Sequence, residues 1–181
     1  MTPRPRLLAV IVCGAGPASE VGPLIKLAQG RGWTVQVIAT PAALAFIDVP
    51  AIEAIQTGAP VRSQYRTPGE PRSRPSDALI VAPATYNTIC KWAQGISDTY
   101  ALGNLAETTG LGMPVVVLPF VNTALAARAP FRRSVEELRR CQSPRTVETS
   151  IVGVVDARGG VLVRRAPGRG QAQPARSSCP R

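Results

Sequence analysis

The chain of 181 residues contains no histidine. This absence excludes Ser-His-Asp and Cys-His catalysis, an imidazole proton shuttle and zinc sites of the usual kinds, so we expect no metal. The four cysteines, Cys13, Cys90, Cys141 and Cys179, are too scattered to form a Cys-x-x-Cys pair. We expect them to be reduced thiols, as in most cytoplasmic proteins.

Aromatic residues are also scarce, at 4% of the chain, although the formal net charge is +10. A charge of this size is typical of nucleic-acid-binding proteins. However, there are few aromatic side chains for base stacking. About half of the excess positive charge lies in residues 141–181, where seven arginines outnumber Glu148 and Asp156. The other basic residues are dispersed, so we expect no nucleic-acid partner.

Long hydrophobic runs are absent too, since none approaches the roughly 18 residues of a membrane-spanning helix. Residues 7–13 form a short apolar stretch after two arginines, and glycine and proline follow it. We interpret this stretch as a buried strand rather than a signal peptide. We therefore expect a cytoplasmic protein without a membrane partner.

Apolar segments alternate with amphipathic segments along the chain. Continuous apolar runs predict buried strands at residues 7–13, 33–40, 77–82 and 113–118. Helices are predicted between and after them, including residues 86–95 and 98–109. This alternation predicts an α/β fold, with a parallel sheet and helices on both faces. A long Gly-, Pro-, Ser- and Arg-rich loop is predicted at residues 57–76.

Small or polar residues follow the carboxyl ends of these strands. Gly14, Ala15 and Gly16 follow the first strand, where bare backbone amides at a helix start suit a phosphate. Thr40 ends the second strand and offers a hydroxyl group. Because ligands bind at this edge of an open parallel sheet, the convergence of these groups predicts a nucleotide-like ligand.

The third and fourth strand ends add hydrogen-bonding side chains. Thr85, Tyr86, Asn87 and Thr88 follow the third strand, and Asn122 follows the fourth. Taken singly, Thr85, Asn87 or Asn122 is also a candidate for a plain helix cap, which accepts a hydrogen bond from a free backbone N–H. A glycine turn between a strand and a helix is likewise common in itself.

Residues 83–98 resemble a signature of the homo-oligomeric flavin-containing cysteine decarboxylase family. That signature reads roughly PASANTxxKxAxGxxDN, and the chain reads PATYNTICKWAQGISD. Residues 118–125, LPFVNTAL, are similar to a second signature, PxMNxxMW, of which Pro119 and Asn122 are kept. The family's methionines and tryptophan are replaced by Val121, Leu125 and Ala126. The resemblance covers about residues 6–140.

The resemblance implies a three-layer Rossmann-like (flavodoxin-like) parallel sheet and FMN as the cofactor. It also implies that the glycine turn and Thr40 hold the flavin phosphate, and that Asn87 holds a substrate carboxylate. The residues implied to bind FMN are Gly14, Ala15, Gly16, Thr40, Pro83, Ala84, Thr85, Tyr86, Asn87, Thr88 and Asp98.

Decarboxylases of the family also use a histidine from the loop before the signature strand. Here that loop reads RSQYRTPGEP, so Gln64, Tyr65 or Arg66 stands near that position. An arginine can bind a carboxylate through two hydrogen bonds. Tyr65 would act as an acid or base only with a pKa well below its usual value of about 10. The predicted catalytic residues are Asn87, Tyr65 and Arg66, and the predicted substrate-binding residues are Asn122 and Arg62.

The resemblance favours an FMN-dependent decarboxylase, a carbon–carbon lyase that acts on a cysteinyl thiol-carboxylate. The substrate would be a small molecule or a peptide with a C-terminal cysteine. The family also implies a homo-trimer or a homo-dodecamer. Because the histidine is missing, the alternative is a non-decarboxylating FMN-binding protein, either flavin prenyltransferase-like or a partner subunit.

We place a boundary after residue 140, between an FMN-binding flavoprotein domain (1–140) and a basic tail (141–181). Residues 150–166 predict two strands around a Gly-containing turn, which resemble the opening hairpin of a Nudix hydrolase. The glutamate-rich Nudix box is absent, so we assign no catalysis to this segment. A chance hairpin in a disordered tail is the alternative, and the last 15 residues are predicted to be disordered.

Overall fold

A computed structural model describes residues 4–56, 59–70 and 74–140, together with the backbone of residues 154–155 and 161–162. Four parallel strands form the main sheet, in the order β2-β1-β3-β4. They are β1 (Arg6–Val12), β2 (Trp33–Ala39), β3 (Ala78–Ala84) and β4 (Val115–Pro119). Each corresponds to a predicted strand, so the predicted parallel α/β sheet is confirmed.

The described residues contain six α-helices: α1 (Val21–Gln29), α2 (Val49–Ile55), α3 (Tyr86–Ala93), α4 (Tyr100–Gly110), α5 (Thr123–Ala126) and α6 (Ala129–Arg140). Short 3₁₀ turns at Gly16–Glu20 and Pro41–Ala45 follow β1 and β2. Sequence analysis predicted a helix between β2 and β3 but did not place it at α2. That helix begins where the Asp48 carboxylate accepts a hydrogen bond from the Ala51 N–H, and it has proline in its first turn.

Helices cover both faces of the sheet. Leu8, Val10 and Val12 belong to the core on the side of α1 and α2. Ala9 and Ile11 face the opposite way, into the core beneath α3, α4 and α6. Burial on both faces explains why the strands read as continuous apolar runs rather than as alternating patterns. The predicted three-layer arrangement is confirmed.

The third strand extends further than the predicted end at residue 82. Ala84 still pairs with Pro119 of β4, after a shift of register that follows Val81. Pro83 lies within this irregularity, which is where a proline is tolerated inside a sheet. The signature residues therefore begin inside the sheet, and α3 starts directly beyond its edge.

Two short strands lie beyond α6. β5 (Val154–Val155) and β6 (Val161–Leu162) pair in antiparallel fashion, within the segment where sequence analysis placed two strands. The rest of the predicted basic tail lies outside the described residues, and the domain boundary stays a prediction. Among the described helices, none combines the length and the apolar content needed to cross a bilayer.

Candidate functional site

The carboxyl ends of the four long strands meet at one side of the sheet, here called the carboxyl edge (residues 13–16, 40–42, 83–88 and 119–122). Backbone hydrogen bonds join neighbouring ends, from Cys13 to Pro83 (3.2 Å), from Thr40 to Val12 (2.9 Å) and from Phe120 to Ala84 (2.8 Å). The predicted cofactor-binding residues of three strand ends therefore lie side by side.

The glycine turn after β1 passes close to the chain that follows β2. A Cβ atom at Gly14 would lie 2.9 Å from the carbonyl carbon and oxygen of Ala42, so a side chain there would push the two segments apart. A Cβ atom at Gly16 would have no neighbour within 4 Å. Ala15 is extended and starts the following 3₁₀ turn without a side-chain cap. The turn thus forms an open cradle beside the end of β2.

Thr40 lies at that strand end and is 9% exposed. Its Oγ1 atom is buried and has no hydrogen-bond partner among the described residues. A buried hydroxyl group without a partner costs about 1–3 kcal/mol, so the missing partner is expected to come from outside the chain. The cradle and this hydroxyl group together fit a phosphate. The phosphate-binding role of Thr40 stays a prediction.

Thr85 and Thr88 are already paired within the protein. Thr85 Oγ1 accepts a hydrogen bond from the Thr88 N–H at 3.4 Å and caps α3. The two hydroxyl oxygens are 3.1 Å apart, and the Cys13 thiol donates to Thr88 Oγ1 at 3.3 Å. Burial raises the pKa of Cys13, so this thiol stays neutral and keeps its proton for donation. The cap interpretation is confirmed for Thr85, and sequence analysis missed the part played by Cys13.

Asn87 differs from its threonine neighbours because it is exposed. Within the described part of the chain its side chain makes no hydrogen bond, so the cap interpretation does not apply to it. Tyr86 stacks on Phe131 of α6, with ring centres 5.7 Å apart and an interplanar angle of 17°. The guanidinium of Arg128 lies 5.9 Å from the centre of the Tyr86 ring. Asn87 is therefore available to a ligand, whereas Tyr86 is fixed by packing.

The two other predicted polar residues have structural partners. Asn122 Oδ1 accepts a hydrogen bond from the Leu125 N–H at 2.9 Å, which confirms its interpretation as the cap of α5. Asp98 forms an ion pair with Lys91 and so is joined to the second half of α3. Lys91 lies five residues after Tyr86, or about 7.5 Å along the helix axis, so Asp98 is joined to α3 beyond its first turn.

The loop of residues 59–70 runs beside β2, where the Arg62 N–H donates to the Val37 carbonyl at 3.1 Å and the Ala39 N–H donates to the Arg62 carbonyl at 2.7 Å. Together with α4 and one face of β1 and β2, it encloses a cavity of about 610 Å³, here called the loop cavity. The Tyr65 ring packs edge-on against Tyr100, with ring centres 5.2 Å apart. The Tyr65 hydroxyl group occupies the space that a side chain at Gly103 would need. The loop is thus held against α4 by an aromatic contact.

The predicted arginines line this cavity and have partners in the loop itself. Arg62 forms an ion pair with Glu70 at 3.4 Å. Arg66 donates to the Glu70 carbonyl at 2.8 Å. Asn87 does not line the loop cavity. The structure therefore brings Arg62, Tyr65 and Arg66 together, but it does not bring them to Asn87 within the described part of one chain.

A smaller and mainly apolar cleft, of about 260 Å³, opens at the carboxyl edge itself. Its walls come from the 3₁₀ turn and α1 on one side and from the ends of β3 and β4 on the other. They include Pro17, Val21, Leu24, Pro83, Pro119 and Phe120. This cleft suits a flat apolar group, whereas the cradle beside Thr40 suits an anion.

Comparison with solved structures identifies proteins with the same fold. The FMN-dependent cysteine decarboxylase SpaF is 27% identical, with a TM-score of 0.62 over 74% of this chain and 78% of SpaF. The cypemycin decarboxylase CypD is 28% identical, with a TM-score of 0.62 over 74% of this chain and 77% of CypD. These matches confirm the Rossmann-like (flavodoxin-like) fold and the predicted resemblance to flavin-containing cysteine decarboxylases.

Comparison of sequences agrees with the structural matches. The Coenzyme A biosynthesis bifunctional protein CoaBC of Escherichia coli (strain K12) is 29% identical over 136 residues, which cover 70% of this chain and 32% of CoaBC. The chain thus spans about a third of the length of the curated relatives that it matches. The Flavoprotein family model matches residues 2–160, which is most of the chain. On this evidence, the chain belongs to the Flavoprotein family.

Proposed function

We propose that this protein is an FMN-dependent decarboxylase-type enzyme that acts on a cysteinyl thiol-carboxylate. The observation that carries the proposal is the carboxyl edge, where the buried Thr40 hydroxyl has no partner among the described residues and lies beside an open glycine turn. Membership of the Flavoprotein family and the similarity to SpaF and CypD support both FMN as the cofactor and decarboxylation as the reaction class.

The width of the carboxyl edge suits a ligand of this kind. Parallel strands lie about 4.8 Å apart, so the order β2-β1-β3-β4 spans about 14 Å from the first strand end to the last. FMN carries a phosphate at one end and a flat ring at the other. In this proposal, residues 14–16 and Thr40 hold the phosphate, and the apolar cleft beside Pro83 and Pro119 receives the ring.

The signature residues then divide into two groups. Pro83, Ala84, Thr85 and Thr88 shape the wall beside the flavin, and the hydrogen bonds of Thr88 with Cys13 and Thr85 keep that wall rigid. Asn87 is exposed and has no side-chain partner in the described part of the chain, so its amide can donate to the substrate carboxylate. Bound FMN would supply the electron acceptor for oxidation of the cysteinyl thiol to a thioaldehyde, after which carbon dioxide leaves. The role predicted for Asp98 stays a prediction.

The positions of Tyr65 and Arg66 support a homo-oligomer for this reaction. Both residues line the loop cavity, and Asn87 does not. In a closed symmetric assembly, the loop cavity of one subunit can face the carboxyl edge of the next. Such an arrangement would bring the predicted catalytic residues together across an interface, as the predicted trimer or dodecamer requires.

Asn87→Ala tests the proposed reaction. The purified variant should remain yellow, with FMN content equal to that of the wild type, because Asn87 is exposed and its removal leaves the core intact. Release of carbon dioxide from peptides that end in cysteine should be abolished. Gln94→Ala, an exposed change at the other end of α3, is the control and should keep both properties. Unchanged turnover in Asn87→Ala would contradict the role.

The missing histidine favours a second candidate function, a non-decarboxylating FMN-binding protein. Such a protein, either flavin prenyltransferase-like or a partner subunit, would also be yellow. It would release no carbon dioxide from any cysteine-ending substrate. The absorption spectrum and the carbon dioxide assay therefore separate the two functions.

A further inference from the structure

α6 differs from the other described helices in its charge. It contains four arginines, whereas the other five described helices together contain only two basic residues, Lys26 and Lys91. Phe131, Val135 and Leu138 turn the apolar side of α6 towards the core beneath the sheet. All four arginines of the helix are exposed, so its other side presents a concentration of positive charge to solvent.

Three arginines lie along one line of this solvent-exposed side. The Arg132 N–H donates to the Arg128 carbonyl at 3.3 Å, so the helical path already includes Arg128. With 3.6 residues per turn, Arg128, Arg132 and Arg139 fall within about 40° of one another around the helix axis. All three are exposed, and none forms an ion pair among the described residues, whereas Arg140 pairs with Glu137 at 3.4 Å. These three residues are here called the arginine stripe.

The arginine stripe begins at the carboxyl edge. The guanidinium of Arg128 lies 5.9 Å from the centre of the ring of Tyr86, which is the first residue of α3. Tyr86 also stacks on Phe131, and this contact fixes the start of α6 beside the carboxyl edge. Arg139 lies about 16.5 Å further along the helix axis than Arg128. The stripe therefore extends away from the proposed active site over a length that about five residues of an extended peptide would cover.

The composition of this side of α6 selects the kind of partner. A row of guanidinium groups can bind either carboxylates or phosphates. A membrane surface is disfavoured, because none of the exposed residues of α6 has a large apolar side chain to enter the lipid. Nucleic acid is also disfavoured, because none of them is aromatic and the exposed Glu136 would repel a continuous phosphate backbone. Carboxylates of an acidic peptide can be spaced to avoid Glu136.

We propose that the arginine stripe binds an acidic segment of a peptide substrate, which precedes the C-terminal cysteine of that peptide. This inference rests on the function proposed above and deepens it, because it selects a peptide rather than a small molecule as the substrate. The stripe contacts the peptide away from the reacting atoms, so it contributes to selectivity and not to the chemical step. Because the arginines are exposed, salt should weaken the contact.

Two labelled peptides that differ only in charge test this assignment. Each has about nine residues and an N-terminal fluorophore, and three glutamates of one are replaced by glutamines in the other. Both end in serine instead of cysteine, so they bind without turnover, and fluorescence anisotropy follows their binding to the purified holoprotein. At low salt, the wild type should bind the acidic peptide about three- to thirtyfold more tightly, since three individually weak ion pairs act together. This preference should shrink at high salt.

Arg132→Gln/Arg139→Gln should reduce the preference to about twofold or less, because only Arg128 of the stripe remains. Arg132→Lys/Arg139→Lys keeps the charge and should keep most of the preference. Lys26→Gln/Arg31→Gln removes two exposed charges from and beside α1, which covers the other face of the sheet, and should keep all of it. With cysteine as the last residue of the peptide, loss of the two stripe arginines should raise KM and leave kcat unchanged. FMN content should be equal in all four proteins.

The outcomes separate this inference from the function on which it rests. Wild-type protein that takes up no FMN would overturn the proposed function, and with it the identification of the peptide as a substrate. Holoprotein that binds both peptides equally would overturn the inference alone. A preference that persists in Arg132→Gln/Arg139→Gln, or falls equally in Lys26→Gln/Arg31→Gln, would do the same. A single-stranded oligonucleotide that binds more tightly than the acidic peptide, and loses affinity in Arg132→Gln/Arg139→Gln, would replace the peptide by a nucleic acid.

Discussion

The carboxyl edge and the loop cavity both contain polar residues, but these residues differ in whether they have hydrogen-bond or ion-pair partners within the protein. In the loop cavity, Arg62 and Arg66 are bound to Glu70. At the carboxyl edge, the hydroxyl group of Thr40 has no partner among the described residues. The amide of Asn87 is likewise left without a hydrogen-bond partner within that part of the chain.

This difference indicates which polar groups stabilise the fold and which polar groups are free to bind a ligand. A paired arginine has already exchanged water for a protein acceptor, so it has less to gain from binding an anion. A buried hydroxyl group without a partner destabilises the free protein and gains a partner only when a ligand arrives. One group in the loop cavity departs from this pattern, since Nε of Arg74 is buried without a partner among the described residues, while its Nη2 binds Asp77.

Thr40→Val gives the most direct test of this comparison and the largest expected effect. Valine keeps the shape of threonine but lacks the hydroxyl group. Because a hydrogen bond to a charged group contributes about 1.5–3 kcal/mol, FMN affinity should fall by about 10- to 150-fold. The free protein should be as stable as the wild type or more stable, because an unsatisfied group is removed. Fluorescence titration with FMN and thermal denaturation of the apoprotein measure the two effects.

Thr34→Val is the matched control for this change. Thr34 lies near the start of β2, whereas Thr40 follows its end, and Thr34 is exposed, so its substitution should leave FMN affinity unchanged. Equal FMN affinity in Thr40→Val and the wild type would show that the Thr40 hydroxyl group does not bind the cofactor.

Gly103→Ala tests the loop cavity and should have a smaller effect. The added methyl group would displace the Tyr65 hydroxyl, which is the far end of an exposed and flexible side chain. Loss of the Tyr65–Tyr100 contact costs about 0.5–1.5 kcal/mol, so the loop should open more often. Cleavage by trypsin after Arg62 and Arg66 should therefore become about two- to tenfold faster.

Global stability should not fall with this change, because alanine favours the helix by up to about 1 kcal/mol over glycine. Gly110→Ala makes the same substitution in α4 where nothing lies within 4 Å, and it should leave cleavage of the loop unchanged. Equal cleavage rates in Gly103→Ala and Gly110→Ala would mean that Tyr65 does not hold the loop.

Much of the carboxyl edge could be predicted from sequence because its signals are local. Continuous apolar runs located the four strands, and a parallel sheet brings the residues that follow them to one edge. The capping roles of Thr85 and Asn122 were also open to prediction, since each stands immediately before a helix. α2 was missed, although Asp48 followed by proline at position 50 is a local signal for a helix start.

The pairing of individual polar atoms could not be predicted in the same way. The thiol of Cys13 meets Thr88, and the guanidinium of Arg128 meets Tyr86, only after α3 and α6 have packed on the sheet. The loop arginines were assigned to the substrate by their residue type and by their place in the loop where the resemblance puts the family's catalytic histidine. Their actual partner, Glu70, is close in sequence, but a loop without periodicity gives no indication of how it folds back.

Asp77→Asn, at the amino end of β3, completes the comparison and has the smallest expected effect. The Asp77 carboxylate accepts hydrogen bonds from the Leu7 N–H at 2.7 Å and from Arg4 and Arg74 at 2.8 Å each. The bond from Leu7, followed by that from Arg4, lowers the pKa of Asp77 below its usual value. The stabilisation is therefore complete above the unfolded-state pKa of about 3.9, and it is lost as the pH falls through the lower folded-state pKa.

The melting temperature of Asp77→Asn should lie slightly below that of the wild type at neutral pH, and the difference should shrink towards zero in acid. Glu136→Gln removes an equal charge from an exposed site and should show no such pH dependence. FMN affinity should not change in Asp77→Asn, because Asp77 lies at the opposite end of β3 from the carboxyl edge. Thr40→Val should do the reverse, with weaker FMN binding and undiminished stability. A loss of FMN affinity in Asp77→Asn would mean that polar groups with protein partners also contribute to ligand binding. The contrast between paired and unpaired polar groups would then be wrong.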